Sequence, residues 1–473
     1  VVVENAQATK PFGSGDVQAD DMNMTATEKL PLSTIVAYSA PSLALGFSGA
    51  LVVIYILKFA TDVMLIAPGL FATVFAFARI WDAISDPIAG YLSDRTVSKY
   101  GRRRPWIAIG AIPLAGSVIV LWSPPAYLTG NGAVIWIAVA IALFYTAHTI
   151  IAVPQLALGA EMTSDYHERS KVFGGRGVMD FLGVLFAAFA IWLLQTSEDP
   201  REAARMVAWI FAAVSIPILW FSVSRIVERP EYVGRGGHAP IAAFKDVWRN
   251  HHARVLVTVF FLETMTLAFI STLTPFVIQY MLPDISESSG PLMAAALVFT
   301  LISFPMWFPL SRRFGKRNTW IASCVFKVVG FGSVMFVGPG TEWVGLISLV
   351  LIGASLSAHI ILAPSVKADV IDFDEYKTSE RKEGAYFAVW NLVQKFGGAA
   401  AVFGGGVLLE VSGYEANAQQ SEDAIFMMRS LFAGVPVVLN AIVIVLLLNF
   451  SLNQSEHAEI RAEIDRRNGS VEA

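Results

Sequence analysis

The chain has 473 residues, 55% of them hydrophobic and 15% charged, with a mean hydropathy of +0.58 and a formal net charge of −4. Soluble domains carry about 25% charged residues, so this composition excludes an ordinary soluble fold and points to a chain that crosses a bilayer many times. The slightly acidic balance, with basic residues gathered in short loops, also argues against nucleic acid as a partner.

Residues 1–32 are polar and lack an apolar core behind a basic start. They are read as a disordered N-terminal tail, with no secretory signal peptide expected. Beyond them, apolar runs near the length of about 20 residues that a helix needs to cross the hydrocarbon core occur at 33–60, 66–93, 105–124, 132–160, 172–194, 206–227, 255–281, 289–311, 318–338, 343–365, 384–411 and 424–451. The expectation is an all-α membrane protein of twelve transmembrane helices. A transmembrane barrel would need short alternating strands instead.

Lys and Arg concentrate after spans 2, 4, 6, 8 and 10, as in Arg95, Lys99 and Arg102 to Arg104, Arg169 and Lys171, or Arg312 to Arg317, whereas the opposite loops hold Arg201 and Arg205. By the positive-inside rule both termini face the cytoplasm of a multi-pass plasma or inner membrane protein. The single cysteine, Cys324, lies in an apolar span, where an intramolecular disulfide is impossible and quiet burial is expected.

The chain also repeats. LSDRTVSKYGRRRPWI after span 2 is echoed by LSRRFGKRNTWI after span 8, and TAHTIIAVPQLALGAEMTSD by SAHIILAPSVKADVID. His148 and His359 are 211 residues apart, Arg102 and Lys316 are 214, and Arg169 and Arg381 are 212. A nearly constant offset means duplicated halves. The expected domains are bundles at 33–227 and 254–451, a cytoplasmic linker at 228–253 and a tail at 452–473, either a short cytoplasmic helix or frayed. In parallel repeats of this kind a substrate sits between the halves near the midplane.

Span 2 carries the chemistry. Asp82 and Asp86 are one helical turn apart and share a face. Each charge within a span costs roughly 2.5 to 3.5 kcal/mol on insertion scales, so the pair is read as functional. Two carboxylates can ligate a hard cation or share a proton. Glu263 in span 7 is a further intramembrane carboxylate placed to face a central cavity. His148 and His359 occupy equivalent places in the repeat and either relay protons or serve as hydrogen-bonded packing.

GYLSDRTVSKYGRRR resembles the major facilitator superfamily signature. RIWDAISDP followed by GRRRPWI, and ADVIDFDEYKTSERKEGAYFAVWNLVQKFGGA after span 10, are similar to the glycoside-pentoside-hexuronide:cation symporter family, over roughly 33–451. The resemblance implies two pseudo-symmetric six-helix halves and cation binding by Asp82, Ser85, Asp86 and Thr149, with Asp82 and Asp86 as metal ligands if the ion is sodium. It implies substrate binding by Arg79, Arg176 and Lys395, to which His148 and Glu263 are added. Ser85 stands where the family often has Asn, which weakens the case for sodium over protons. The acids that grip sugar hydroxyls in galactoside-transporting relatives are replaced by Gly46 and Ala152, so an acidic glycoside, a uronide or sulfonated sugar, is expected. At the basic loop, Asp94, Arg95, Arg102, Arg103 and Arg104 are expected to gate by bridging the halves toward acids such as Glu161, Asp165, Asp369, Asp372, Asp374 and Glu375.

The expected function is therefore a Na+- or H+-coupled secondary symporter of a glycoside, working as a monomer in the lipid bilayer, with no cofactor beyond the coupling ion. The alternatives are a lysolipid or lipid carrier of the same fold and a non-transporting membrane sensor. The absence of HExxH, GxSxG and GxxxxGK[ST] patterns argues against an enzyme.

Overall fold

A segment inside a bilayer must satisfy its backbone polar groups internally, so apolar runs of this length become helices. The computed structural model describes residues 30–163, 166–226, 228, 245, 247–281, 289–337, 341–379, 383–452 and 454–469. The helices are α1 Leu32–Lys58, α2 Pro68–Arg95, α3 Arg104–Trp122, α4 Asn131–Glu161, α5 Tyr166–Thr196 and α6 Pro200–Arg225. They continue as α7 His251–Phe276, α8 Ser289–Phe314, α9 Lys316–Val334, α10 Glu342–Thr378, α11 Glu383–Val411, α12 Glu422–Arg429, α13 Val435–Leu448 and α14 Gln454–Gly469. Widened π turns prolong α1 at Phe59–Val63 and α7 at Val277–Met281, and a third, Ser430–Gly434, joins α12 to α13.

Among the described residues, nine helical stretches are long and apolar enough to cross a membrane. Helices α2, α8 and α9 form at their expected places without meeting that measure; α2 carries Arg79, Asp82, Asp86, Asp94 and Arg95, and α9 carries Lys316, Arg317 and Lys327. Most of the linker expected at 228–253 lies outside the described residues. The tail forms α14, which packs on α10. That contact accounts for α10 running to Thr378, well past the expected end at 365: His457 meets Asp372 at 3.1 Å and Arg467 donates to the Tyr376 carbonyl at 3.0 Å.

Packing follows the repeat. Helix α1 packs on α5 and α6, α3 on α4 and α6, and α2 on α4; six spans later α7 packs on α11 and α13, α9 on α10 and α13, and α8 on α10. The two sets meet through α2 with α11, α5 with α8, and α1 with α7.

Two glycines permit close approaches. A Cβ on Gly46 would stand 2.3 Å from the backbone oxygen of Asp180, so α1 and α5 touch backbone to backbone there. No side chain fits at position 46, which gives a steric reason why it carries no acid. Gly101, at φ +99°, turns the loop before α3 so that the Glu228 carboxylate accepts from the backbone N–H groups of Arg102, Arg103 and Arg104 at 2.8, 2.9 and 2.7 Å. An anion is favoured at this helix start, where free N–H groups and the helix dipole converge.

Candidate functional site: a carboxylate centre between α2, α4 and α11

Helix α2 presents Arg79, Asp82 and Asp86 on one face, and α4 brings Thr149 against them. Thr149 Oγ1 donates to Asp86 Oδ1 at 2.9 Å and lies 3.3 Å from Asp82 Oδ1. Ser85 Oγ donates to the Asp82 carbonyl at 3.1 Å and approaches Thr149 Oγ1 at 3.4 Å. Arg79 Nη1 pairs with Asp82 Oδ2 at 3.2 Å, its guanidinium 5.1 Å from the Tyr145 ring centroid. Asp82 is only 4% exposed, whereas the Asp86 side chain is 32% exposed, so one carboxylate is sealed in and its neighbour stays reachable.

Lys395 completes the centre from α11. Its Nζ lies 2.6 Å from Asp86 Oδ2, 2.9 Å from Asp82 Oδ2 and 3.0 Å from the Asp82 carbonyl. An ammonium thus sits between two carboxylates that, without it, would repel one another. This pairing ties α2 to α11. His148 lies tilted against Phe144, with ring centroids 5.7 Å apart, on the same helix as Thr149.

Other expected site residues fall elsewhere. Glu263 is buried among second-half side chains, accepting from Lys327 Nζ at 2.6 Å and from Trp320 Nε1 at 3.2 Å and pairing with His359 Nδ1; Cys324 lies 3.4 Å away. Arg176 forms no ion pair among the described residues, and its Nε is buried without a partner. Arg102 and Arg103 bind Glu161 at 2.6 and 2.7 Å, Arg103 also binds Asp94 at 2.8 Å, Arg104 donates to the Val223 carbonyl, and Arg95 lies over Tyr91. In the second half Lys316 holds Asp369 at 2.7 Å. These pairs all stay within their own set of helices. Asp165 lies outside the described residues.

At the opposite end of the helices the two sets are fastened to one another. Asp62, in the π turn after α1, takes the Lys58 ammonium at 2.5 Å and hydrogen bonds from Tyr280 at 3.1 Å and from Tyr414, while Asn417 Nδ2 donates to its carbonyl at 2.7 Å. Glu410 accepts from the Gly69 N–H at 2.7 Å. Sequence reasoning passed over this cluster and the Glu263 partner Lys327. The signals were present: Lys58 and Asp62 are one turn apart in an apolar run, and Lys327 is a lone cation in another.

Residues 37–454 match the family model described as MFS/sugar transport protein. The chain belongs to that family. It is therefore a multi-pass membrane transporter of the glycoside-pentoside-hexuronide type, and not an enzyme. It is 24% identical to a glucuronide carrier protein homolog of Escherichia coli over 93% of this chain and 97% of that one. It is 25% identical to the isoprimeverose transporter of Lactiplantibacillus pentosus over 94% and 93%. A crystal structure of a D-xylose-proton symporter superposes with a TM-score of 0.68 at 14% identity, covering 89% of this chain and 98% of that one, which shows a shared fold.

Proposed function

We propose that this transporter is a cation-coupled symporter of a glycoside, using twelve spans in two six-helix halves, at 33–227 and 254–451, with both termini in the cytoplasm. The observation that carries the reading is the Lys395 ammonium seated between Asp82 and Asp86. A sodium ion or proton entering at the partly exposed Asp86 competes with that ammonium for the same oxygens, and Ser85 and Thr149 add hydroxyl ligands suited to a hard cation. Once displaced, Lys395 is free to engage substrate, so cation and glycoside binding favour one another. Relatives named for glucuronide and isoprimeverose support a sugar-like cargo, and Arg176, which has no ion pair among the described residues, favours an acidic one.

Alternating access follows from where the halves touch. Among the described residues, the ion pairs and charged hydrogen bonds that join the halves lie at the Asp62 end and at Lys395, whereas Arg102, Arg103 and Lys316 pair within their own halves. On this reading the outer side is fastened, and the inner side is the one free to part. Asp94, Arg95, Arg102, Arg103 and Arg104 gate by exchanging their internal partners for acids across the gap when the inner side shuts.

Uptake into proteoliposomes tests the proposal. A labelled glucuronide should accumulate when an inward sodium or proton gradient is imposed and should equilibrate without accumulation when the gradient is collapsed. Equal uptake with and without a gradient would refute coupling.

A further inference from the structure

Charges inside the spans are mostly spoken for. Arg79 and Lys395 are held by Asp82 and Asp86, Lys58 by Asp62, and Lys327 by Glu263. Lys367, on the inner half of α10, is different: no carboxylate lies within 4 Å of it among the described residues. Its Nζ instead stands 3.9 Å from the ring centroid of Phe260 on α7 and 4.9 Å from that of Trp390 on α11. Both rings are fully buried while Lys367 itself is half-buried, so the ammonium rests on an aromatic floor and keeps an accessible side.

Ring faces attract a cation but leave its hydrogen-bond donors unmet. The floor has a second shortage: among the described residues, Trp390 Nε1 is buried with no acceptor. A half-buried ammonium whose donors find no acceptor is left unsatisfied until something with negative charge visits it. Phe260 is one turn before Glu263 and also packs against His359, with ring centroids 5.3 Å apart, so the platform is fixed to the rigid Glu263, Lys327 and His359 cluster. Three helices of the second half thus hold one unanswered ammonium in a set place.

We infer that Lys367, on its Phe260 and Trp390 platform, is the subsite for the anionic group of the substrate, the carboxylate of a uronide or the sulfonate of a sulfonated sugar. This rests on the glycoside symport reading above. The subsite lies in the half opposite the carboxylate pair, so an anionic cargo bound there and a cation bound at Asp82 and Asp86 load both halves at once. Selectivity for charge then resides in α10, separately from coupling.

The test measures dissociation constants of 4-nitrophenyl β-D-glucuronide and 4-nitrophenyl β-D-glucoside for purified wild type, Lys367→Met, Lys367→Arg and Asp86→Asn, each with and without sodium at two pH values. Losing a charge-assisted hydrogen bond should weaken the glucuronide about tenfold or more in Lys367→Met, leave the glucoside within about twofold, and be largely restored in Lys367→Arg. A thermal shift on cation addition that matches wild type shows that the Lys367→Met protein is folded with its cation site intact. Cation-dependent glucuronide binding indifferent to Lys367→Met would overturn the subsite and leave symport standing. Glucuronide binding that ignores ions and Asp86 but collapses in Lys367→Met would overturn symport and leave the subsite standing. Failure of the glucuronide to bind wild type would overturn both.

Discussion

Replacing Lys395 with methionine should tighten cation binding while nearly abolishing transport. Without the ammonium, Asp82 and Asp86 face one another with only Arg79 on the far side, and a cation enters without a competitor. Relief of one like-charge repulsion at close range in a partly solvated site is worth on the order of 1 to 2 kcal/mol, so cation affinity should rise about tenfold. Coupled uptake should nonetheless fall about a hundredfold, since one partner of a buried inter-helix ion pair is gone and α11 no longer answers to the occupancy of α2. Sodium or proton titration of the purified variant, followed by uptake in proteoliposomes, separates the two effects. Unchanged cation affinity would mean that the ammonium does not occupy the cation's place.

The Lys327→Met variant should lose stability rather than coupling. Glu263 and Lys327 have side chains only 3% and 4% exposed and meet at 2.6 Å. Removing Lys327 leaves the buried carboxylate with His359 and Trp320 but no permanent cation, at a cost of up to about 3 kcal/mol. Neutralising both, as Glu263→Gln with Lys327→Met, should recover most of that loss, because a buried pair replaced as a whole often costs little. Denaturation midpoints of the single and double variants in detergent check this. A single variant as stable as wild type would show that the pair carries no structural weight.

The helices and all six residues of the candidate centre were legible in the sequence, but by two different routes. Span positions follow from apolar length, which is local, and every expected span holds a helix. Asp82, Asp86 and Arg79 share one face of α2 and could be read together from spacing alone. Ser85, Thr149 and Lys395 were named only through the family resemblance; Lys395 is more than 300 positions further on, and no periodicity announces that an α11 ammonium reaches an α2 carboxylate. Glu263 shows the converse. An isolated intramembrane acid looks like a cavity residue until Lys327 and His359, from two other helices, close around it. Lys367 was illegible because its distinction is a seat on the Phe260 and Trp390 rings with no ion pair among the described residues, which only the arrangement of neighbours reveals. The π turns at Phe59–Val63 and Val277–Met281 carry no sequence marker either, yet they place Asp62 and Tyr280 to meet.

Linked binding at Asp86 probes the central claim most directly. Glucuronide affinity should be measured by calorimetry in wild type and Asp86→Asn, with and without sodium, at a pH above and a pH below the ordinary carboxylate range. Sodium or protons should raise wild-type affinity, and Asp86→Asn should remove the dependence while retaining some binding. Ion dependence of the same size in Asp86→Asn would contradict this, and the carboxylate centre would then be an inter-helix brace with no part in coupling.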